Sequence, residues 1–309
     1  MSHIVVAGSI NVDVFLDVTA LPKANETIIG KAMRQAIGGK GLNQAVACAK
    51  LGPPAHMVAA VGDDALAPQA TAFLAQNGVL TDYVKGMPGA TTGLANILVA
   101  EDGQNMIVVT PGANGLLSPG DIDAASSLIA SASALVVQLE VPLATVRRAL
   151  DVARQHGVLT VLNPAPVDPA AMELMRLADL VTPNETELMR LTGISDVSDA
   201  SLITGLNALI AAGAKQALVT LGSEGCAALM DGALVRLPAY KVKAVDATGA
   251  GDIFNGALVT RLVAGDGLLE AMRYGCAASA LSVTKPSANA CPTPAEVAEL
   301  MAQQPQIAL

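Results

Sequence analysis

An acidic residue that follows small residues and begins an apolar segment is the first candidate for chemistry. Residues 248–252 read TGAGD and lead into IFNGALVTRLV. Small residues let the backbone turn tightly and leave N–H groups open, and the positive end of a following helix dipole favours an anion. Gly249, Ala250 and Gly251 are therefore candidates for an anion hole beside the carboxylate of Asp252. The alternative is that the glycines only form a turn and that Asp252 caps the helix.

A second glycine-rich segment, IGGKGLNQAVACAKLG, spans residues 37–52. Gly39 lets the backbone pass close to a ligand, Lys40 offers a mobile positive charge, and Asn43 offers both a donor and an acceptor at a helix start. The segment matches neither GxxxxGK[ST] nor GxGxxG, so it is neither a P-loop nor a dinucleotide-binding fingerprint. Alone it is weak evidence for a site.

Two further polar patterns follow predicted strands. In GSINVD, Asn11 and Asp13 are separated by one residue, so in an extended chain they point to the same side and could grip neighbouring hydroxyls of a polyol. A turn with Asx hydrogen bonds is the alternative. Glu140 follows the strand ALVVQL, at the edge where parallel sheets bind ligands, but it could equally cap the next helix.

Two more motifs could contact a nucleotide. In TPNETE, residues 182–187, Asn184 and Glu187 lie on one face of a first helical turn and could position a hydrated Mg²⁺ with its phosphates. The same spacing describes an ordinary capping box. In TLGSEG, residues 220–225, small residues follow a strand, which suits either a hairpin turn or a close approach of the backbone to a nucleotide.

The order of apolar segments predicts the elements that position these residues. Short β-branched runs alternate with longer Ala/Leu-rich segments, which is typical of βαβ units in an α/β fold with a mostly parallel sheet and helices on both faces. The predicted strands are 4–8, 57–61, 134–139, 159–163, 179–183 and 216–222. The predicted helices are 42–51, 65–77, 142–156, 184–192, 199–213, 250–264 and 267–284.

Two regions break this alternation. Residues 12–16 and 27–36, and then 92–99 and 105–110, are strand-like without an intervening helix. They predict a small antiparallel sheet built from insertions at about 12–37 and 91–111, which would form a lid over the carboxyl ends of the parallel strands. Because the sequence shows no long linker and no repeat, residues 1–309 are predicted to form a single domain.

Composition narrows the class of partner. The formal charge is −9 and aromatic residues make up 2% of the chain, which argues against nucleic-acid binding because such binding needs clustered cations and stacking side chains. No apolar stretch reaches the ~18 residues of a membrane span. The first residues lack the basic start of a secretory signal, so we expect a cytoplasmic protein without a membrane partner. The four cysteines lie far apart, which indicates free thiols.

Seven motifs together carry a resemblance to a known family. GSINVD, GGKGLNQA, QLE, NPAP, TPNETE, TLGSEG and DATGAGDIFNGA occur in this order, and the chain resembles the ribokinase branch of the phosphofructokinase-B-type sugar kinases up to about Thr293. The resemblance implies a ribokinase-like α/β fold whose β lid joins two subunits into a homodimer. It also implies transfer of the γ-phosphoryl group of ATP to a sugar CH₂OH group, with Mg²⁺, and ribose is the leading sugar.

The resemblance also assigns roles to individual residues. Asp252 would be the general base, and Gly249, Ala250 and Gly251 would form the anion hole. The residues that would hold the sugar are Asn11, Asp13, Gly39, Lys40, Asn43 and Glu140. The residues that would bind the nucleotide and its magnesium-bound phosphates are Asn184, Glu187, Thr220, Gly222, Ser223 and Gly225.

A monovalent-cation site is a further implication of the resemblance, since ribokinases use a cation, usually K⁺, beside the anion hole. The matching positions are Asp246, Thr248, Ser282, Lys285, Ser287 and Cys291. Two of them depart from the family pattern, with Ser287 in place of a glycine and Cys291 in place of a serine. Backbone carbonyls can still bind a hard cation, whereas a thiol is a poor ligand for one.

Alternative functions follow from the same residues. The acceptor could be deoxyribose, fructose or a nucleoside, although an aromatic-poor chain would struggle to line a pocket for a base. In the lid, Asn96 stands where an apolar residue is expected, and it either faces solvent or alters which sugar fits. A catalytically silent sugar-binding regulator on the same fold is the remaining alternative. A dehydrogenase is disfavoured because no GxGxxG follows the first strand.

Overall fold

Strands and helices alternate along most of the chain in the computed structural model, which describes residues 2–286 and 289–308. The strands are β1 (Ile4–Ala7), β2 (Asn11–Val18), β3 (Ala32–Gly38), β4 (Ala55–Val61), β5 (Val79–Gly86), β6 (Gly93–Ala100), β7 (Asn105–Thr110), β8 (Ala134–Val137), β9 (Leu159–Leu162), β10 (Leu180–Val181), β11 (Gln216–Thr220), β12 (Cys226–Met230) and β13 (Ala233–Leu237). The helices are α1 (Lys40–Leu51), α2 (Ala67–Gln76), α3 (Pro119–Ala124), α4 (Ser126–Ala130), α5 (Leu143–Gln155), α6 (Glu185–Thr192), α7 (Asp199–Ala211), α8 (Ala250–Val263), α9 (Leu268–Ser282) and α10 (Pro294–Gln303).

The larger sheet has both faces buried. Within the described residues it contains nine strands in the order β13-β12-β11-β10-β9-β8-β1-β4-β5. The pairs from β5 to β11 are parallel, and β12 and β13 add an antiparallel edge. Along β1, Ile4 and Val6 enter one hydrophobic cluster, while Val5 and Ala7 enter another. This alternation confirms the predicted mostly parallel sheet between helices.

Two helical layers cover this sheet. Helices α1, α2, α8, α9 and α10 contribute to the first cluster, and α3 to α7 contribute to the second. All four cysteines are free and buried, as predicted. No helix in the described part of the chain is long and apolar enough to cross a membrane.

The second sheet is built from the two predicted insertions, in the order β3-β2-β6-β7. Its outer pairs, β2 with β3 and β6 with β7, are antiparallel, while β2 and β6 run parallel, because each insertion contributes its own antiparallel pair. Phe15, Ala95 and Ile97 pack on one face, so Asn96 lies on the opposite face. The strand predicted at 27–36 is shifted to Ala32–Gly38, because the pairing of β2 with β3 ends where Asp17 lies opposite Ala32 and the N–H of Lys31 donates to Asp17 O. Residues 27–30 lie outside this ladder.

Several elements were not predicted. Strand β5 carries polar residues because it is an edge of the larger sheet, and β12 and β13 form a hairpin beside β11. Helices α3 and α4 are only 6 and 5 residues long. Helix α10 begins at a capping box between Thr293 and Glu296. Short or edge elements bury a small part of their surface, so their apolar periodicity is weak.

Candidate active site

A cleft of about 140 Å³ lies where three adjacent parallel strands end. Asn163 follows β9, Thr182 follows β10 and Thr220 ends β11, and the starts of α1 and α8 close the other side. The cleft is lined by Lys40, Asn163, Ala165, Thr182, Asn184, Glu187, Thr220, Ala247, Gly249, Ala250, Gly251, Asp252 and Asn255. Eight of the predicted site residues are among them: Lys40, Asn184, Glu187, Thr220, Gly249, Ala250, Gly251 and Asp252.

Asp252 lies in the first turn of α8 and is only 6% exposed. Gly249 precedes the helix in the left-handed region, with φ 75°, and within the described residues no side chain caps α8. Instead, the carboxylate of Asp252 accepts hydrogen bonds from Asn43 Nδ2 at 3.1 Å and from Gln44 Nε2 at 2.9 Å. Asp252 is therefore held by helix α1 rather than acting as a helix cap.

The charges in the cleft depend on one another. Burial raises the pKa of Asp252, an effect partly offset by the Lys40 ammonium and the amides of Gln44 and Asn43. Burial lowers the pKa of Lys40, but Asp252, Glu140 and Glu187 outweigh it, so the net pKa lies above the usual value. Lys40 therefore stays protonated at neutral pH, and it is the cation of an otherwise acidic site.

Asn11 and Asp13 lie buried on one face of β2, as their spacing predicts. Asn114 Nδ2 donates to Asn11 Oδ1 at 2.8 Å and so orients its amide. The carboxylate of Asp13 packs so closely against Gly38 that a Cβ there would overlap it. Burial, and then the charges of Glu140 and Asp252, raise the pKa of Asp13 to about 6.

Glu140 contacts the start of α1 rather than the helix that follows it. Its Oε2 accepts the hydroxyl of Ser9 at 2.5 Å and the backbone N–H of Lys40 at 3.0 Å. Helix α5, which follows Glu140 in the chain, has Pro142 at its N-cap. Gly39 immediately precedes Lys40 at φ 100°, and a side chain there would overlap the backbone of Asn11.

Asn184 and Glu187 form the capping box that was the alternative to a nucleotide contact. Asn184 Oδ1 accepts the backbone N–H of Glu187 at 2.8 Å, and Glu187 Oε2 accepts the backbone N–H of Asn184 at 2.8 Å. Both side chains nevertheless line the cleft. Burial raises the pKa of Glu187, although Asn184 and Lys40 oppose that shift. The box therefore presents a partly buried carboxylate to the cleft.

The TLGSEG segment forms a hairpin turn between β11 and β12. Gly222 and Ser223 are exposed, while Gly225 adopts φ 96° against the backbone of Leu237. Of this motif, Thr220 lines the cleft, and its N–H donates to the carbonyl of Pro183 at 3.0 Å. The motif therefore forms the hairpin turn, and its first residue lies at the cleft.

Three of the predicted cation-binding positions, Asp246, Thr248 and Ser282, lie in the segment before α8 or at the helix end that this segment contacts. The backbone N–H groups of Val245 and Asp246 donate to Val283 O at 2.7 and 3.1 Å, and the N–H of Thr248 donates to Asp246 Oδ1 at 2.9 Å. The two bonds to Val283 join the segment before TGAGD to the end of α9. Ser282 is buried at that helix end, where its hydroxyl donates to the carbonyl of Ser279.

Lys285 and Cys291, two other predicted cation-binding positions, offer weaker ligands. Lys285 Nζ lies 3.5 Å from Glu296 Oε1 at the surface. The thiol of Cys291 donates to the carbonyl of Pro292 at 3.4 Å, and burial raises its pKa to about 12, so it stays protonated. Ser287 lies outside the described residues.

Comparison with known proteins identifies the family. The family described as "pfkB family carbohydrate kinase" matches residues 1–296. The chain belongs to this family. It is 38% identical to a ribokinase of Haemophilus influenzae over 297 residues, which cover 96% of this chain and 97% of that protein. It is 37% identical to a deoxyribokinase of Salmonella typhi, with coverage of 91% and 92%. A structure of Arabidopsis thaliana ribokinase complexed with ribose and ATP superposes with a TM-score of 0.89 at 32% identity, covering 97% and 99%.

The donor atoms of this pfkB-family cleft suit a magnesium-phosphate group. Thr182 Oγ1 and Asn255 Oδ1 are buried, line the cleft, and have no hydrogen-bond partner within the described part of the chain. Together with the carboxylate of Glu187 they offer hard oxygen atoms, which bind Mg²⁺ directly or through its water shell. Because Glu187 already accepts two hydrogen bonds from Asn184, contact through water fits it best.

The amides that support the site were not predicted from the sequence. Gln44 follows Asn43 in GGKGLNQA, and Gln138 and Asn163 follow β8 and β9, yet none was assigned a role. Asn114, which orients Asn11, lies in an irregular segment of 3₁₀ helix. Polar residues at the ends of two adjacent buried parallel strands were the signal that could have found Gln138 and Asn163.

Proposed function

We propose that this protein transfers the γ-phosphoryl group of ATP to the primary hydroxyl of ribose, producing ribose 5-phosphate and ADP. The observation that carries the proposal is the buried carboxylate of Asp252, which lines the cleft near Lys40 and lies within electrostatic reach of Asp13 on the lid strand β2. The similarity to ribokinases, one of them solved with ribose and ATP, supports the choice of both substrates.

Asp252 is the general base in this proposal. The transition state of phosphoryl transfer is loose, so the sugar hydroxyl gives up its proton late and a weak base is sufficient. The proton passes from the hydroxyl to the carboxylate as the new O–P bond forms and the bond between the β,γ-bridging oxygen and the γ-phosphorus breaks. Burial of the Asp252 carboxylate strengthens the effect of its charge on the reacting atoms.

Lys40 and the start of α8 stabilise the negative charge on the transferred group. The ammonium of Lys40 lies among carboxylates that keep it protonated. The backbone of Gly249, Ala250 and Gly251 lines the same cleft at a helix N-terminus, where N–H groups and the helix dipole favour an anion. In this structure the N–H of Ala250 donates to Ala247 O at 3.2 Å, so the glycines are the better donors.

The nucleotide lies on the other side of the cleft in this proposal. Asn184, Glu187 and Thr220 line that side, and Gly222, Ser223 and Gly225 continue it along the hairpin turn. Glu187, with the oxygens of Thr182 and Asn255, would hold magnesium through its water shell. The metal, when bound, neutralises phosphate charge.

The sugar is held between β2 and the start of α1. We assign Asn11, Asp13, Gly39, Asn43 and Glu140 to its hydroxyls, with Lys40 close enough to meet a phosphate. Asp13 and Glu140 can each accept hydroxyl hydrogens, and Asn43 Oδ1 is buried without a partner within the described residues. Deoxyribose is the second candidate, because the Salmonella typhi relative is a deoxyribokinase.

Release of ADP with a panel of sugars tests this function. The purified protein is assayed with ATP, Mg²⁺ and either ribose, 2-deoxyribose, fructose or adenosine, and the sugar phosphate is identified by mass and by ³¹P NMR. We expect the highest kcat/KM with ribose and phosphorylation at its primary hydroxyl. If kcat/KM is higher with 2-deoxyribose than with ribose, deoxyribose is the substrate. No sugar-dependent ADP release would favour the silent regulator.

Three structural properties belong to the same proposal. Asp246 and Thr248, with Ser282, Lys285, Ser287 and Cys291, are assigned to a K⁺ site beside the anion hole. The second sheet is assigned to a homodimer, because its edge strand β7 is exposed along its whole length with Ile107, Val108 and Val109 in the middle. Residues 1–309 are assigned to one domain with this sheet as its lid, and the cytoplasmic location stays a prediction.

A further inference from the structure

Three buried amides lie behind the carboxylate of Asp252 and are connected to it. Gln44 Nε2 donates to Asp252 Oδ1 at 2.9 Å and to Asn163 Oδ1 at 3.1 Å. Gln138 Nε2 donates to Gln44 Oε1 at 2.7 Å. Gln44 and Gln138 are fully buried, and Asn163 is nearly so. Buried amides cost free energy unless they are hydrogen-bonded, so their concentration at one point calls for a physical reason.

The orientation of the Gln44 amide follows from its neighbours. The backbone carbonyl of Thr182 can only accept, so the Asn163 nitrogen, 2.9 Å away, must face it. The Asn163 oxygen therefore faces Gln44, which must present its NH₂ group. That NH₂ group has two hydrogens, and the second points at Asp252.

Gln138 holds the other end of the same amide. Its NH₂ group donates to Gln44 Oε1, and this hydrogen bond would be lost if the Gln44 amide rotated by half a turn. Gln138 in turn packs against Gly8, where any Cβ would overlap its Oε1. The glycine of the GSINVD motif therefore makes room for the amide that orients Gln44.

We propose that Gln44 is a positioning residue for Asp252, and that Gln138 and Asn163 fix its amide so that it can only donate to Asp252. The inference rests on the proposed function, in which Asp252 accepts the proton of the sugar hydroxyl. An amide NH₂ group stabilises the ionised carboxylate and cannot accept a proton from its acid form, so it favours the state that acts as a base. With Asn43 on Oδ2, each oxygen of Asp252 has one donor, which sets the plane of the carboxylate toward the sugar.

Gln44→Met tests the donor, because methionine has similar length but no polar hydrogen. Loss of a hydrogen bond to a charged group predicts a kcat lower by about 10- to 100-fold. The KM for the sugar and for ATP should stay within about twofold, since Gln44 does not line the cleft. The acid limb of kcat against pH should move to higher pH, because the carboxylate loses a group that stabilises its charge.

Gln44→Glu separates positioning from packing, because it keeps the shape of the side chain. Its ionised carboxylate would face Asp252 and Asn163 Oδ1, so activity should fall further as pH rises, which gives a bell-shaped profile. Gln138→Met removes one of the two contacts that fix the Gln44 amide, and should give a smaller loss of the same kind. Thr145→Val is the control, since it removes a buried hydrogen bond to Leu117 O that involves none of these residues.

The outcomes are distinct. A wild-type kcat and pH profile in Gln44→Met would overturn the inference, as would a flat profile in Gln44→Glu. If the wild type itself releases no ADP, the proposed function fails, and the unfolding stability against pH still tests the contact. Loss of the donor raises the pKa of Asp252 further above its unfolded value, so the variant should lose more stability relative to wild type as pH rises. An unchanged difference would again contradict the contact.

Discussion

Gln44 Nε2 lies 2.9 Å from Asp252 Oδ1, and the two residues are 208 positions apart in the chain. The contact joins helix α1, which begins in the GGKGLNQA motif, to helix α8, which begins in the TGAGD motif. These two glycine-rich segments, ambiguous when considered separately, together define one site because their helices pack side by side. Testable outcomes for Asp252, Asp13, Glu187, the potassium site and the exposed sheet edge follow from the chemistry at this junction and from the surfaces around it.

Removal of the base should separate binding from turnover. Asp252→Asn keeps the size of the side chain but cannot accept a proton, so kcat should fall by about 10²- to 10⁴-fold. The ATP dissociation constant, measured by titration calorimetry, should change little. Asp199→Asn is the matched control, because Asp199 also lies in the first turn of a helix but is exposed. A kcat of Asp252→Asn close to that of the wild type would show that Asp252 is not the base.

Sugar binding should depend on the ionisation of Asp13. Its pKa is raised to about 6, so below pH 6 the carboxylate is protonated and accepts hydroxyl hydrogens less well. The sugar KM should therefore rise as pH falls through 6, while the KM for ATP follows a different profile. In Asp13→Asn, sugar affinity should be weak at every pH. A sugar KM that is constant between pH 5 and 8 would contradict this role.

Asp13 should lower the stability of the folded protein at high pH. Because the folded pKa of Asp13 lies above its ordinary value, its contribution to stability is present at low pH and is lost as pH rises through about 6. Asp13→Asn should therefore have a higher Tm than wild type at pH 8, a gain that shrinks toward pH 4. Asp64→Asn should behave oppositely, since hydrogen bonds from Thr92 lower the pKa of Asp64 despite burial, so its carboxylate stabilises the fold above pH 4.

Glu187 should affect the magnesium dependence without weakening helix α6. Glu187→Gln keeps an oxygen to accept the backbone N–H of Asn184 but removes the charge that would hold the hydrated metal. The Mg²⁺ concentration for half-maximal rate should rise by about tenfold, equivalent to 1.4 kcal/mol, with a Tm near wild type. Glu296→Gln changes the same position of the capping box of α10 and should leave the Mg²⁺ response unchanged. An equal response in both variants would exclude Glu187 from the metal site.

Potassium should raise the rate if the segment before α8 binds it. At constant ionic strength, replacement of Na⁺ by K⁺ should raise kcat several-fold in the wild type. Asp246→Asn retains an oxygen that accepts the N–H of Thr248 but loses the negative charge. The difference in kcat between K⁺ and Na⁺ should therefore be smaller in this variant. Equal rates in Na⁺ and K⁺ for the wild type would refute the site.

The exposed edge of the second sheet should hold two copies together. Light scattering should give twice the mass of the 31.1 kDa chain, and Val108→Lys should reduce it to one chain. Leu80→Lys, on the exposed edge strand β5 of the larger sheet, is the matched control and should leave the mass unchanged. A wild-type mass of one chain would contradict the dimer.

The elements that bury a whole face were predictable, because their apolar residues repeat with the period of the structure they form. Helices α1, α5, α8 and α9 and strands β1, β4 and β8 lie within a few residues of their predicted bounds. The second sheet was also predicted, apart from the shift of β3 and the parallel pairing of β2 with β6. The edge strands β5 and β13 of the larger sheet and the short helices α3 and α4 were missed, since such elements bury a small part of their surface and their apolar periodicity is weak.

The sequence by itself determined the family, the order of the motifs and the residue types that phosphoryl transfer needs. Whether the Asp252 side chain caps its own helix or is held by α1, and whether Glu140 contacts α5 or α1, was decided by the tertiary structure. The physical reason is that hydrogen-bond partners such as Gln44, Gln138 and Asn163 come from separate strands and helices. Their direction and burial, which affect the pKa of Asp252 and the orientation of its oxygens, exist only when the sheet has brought those elements together.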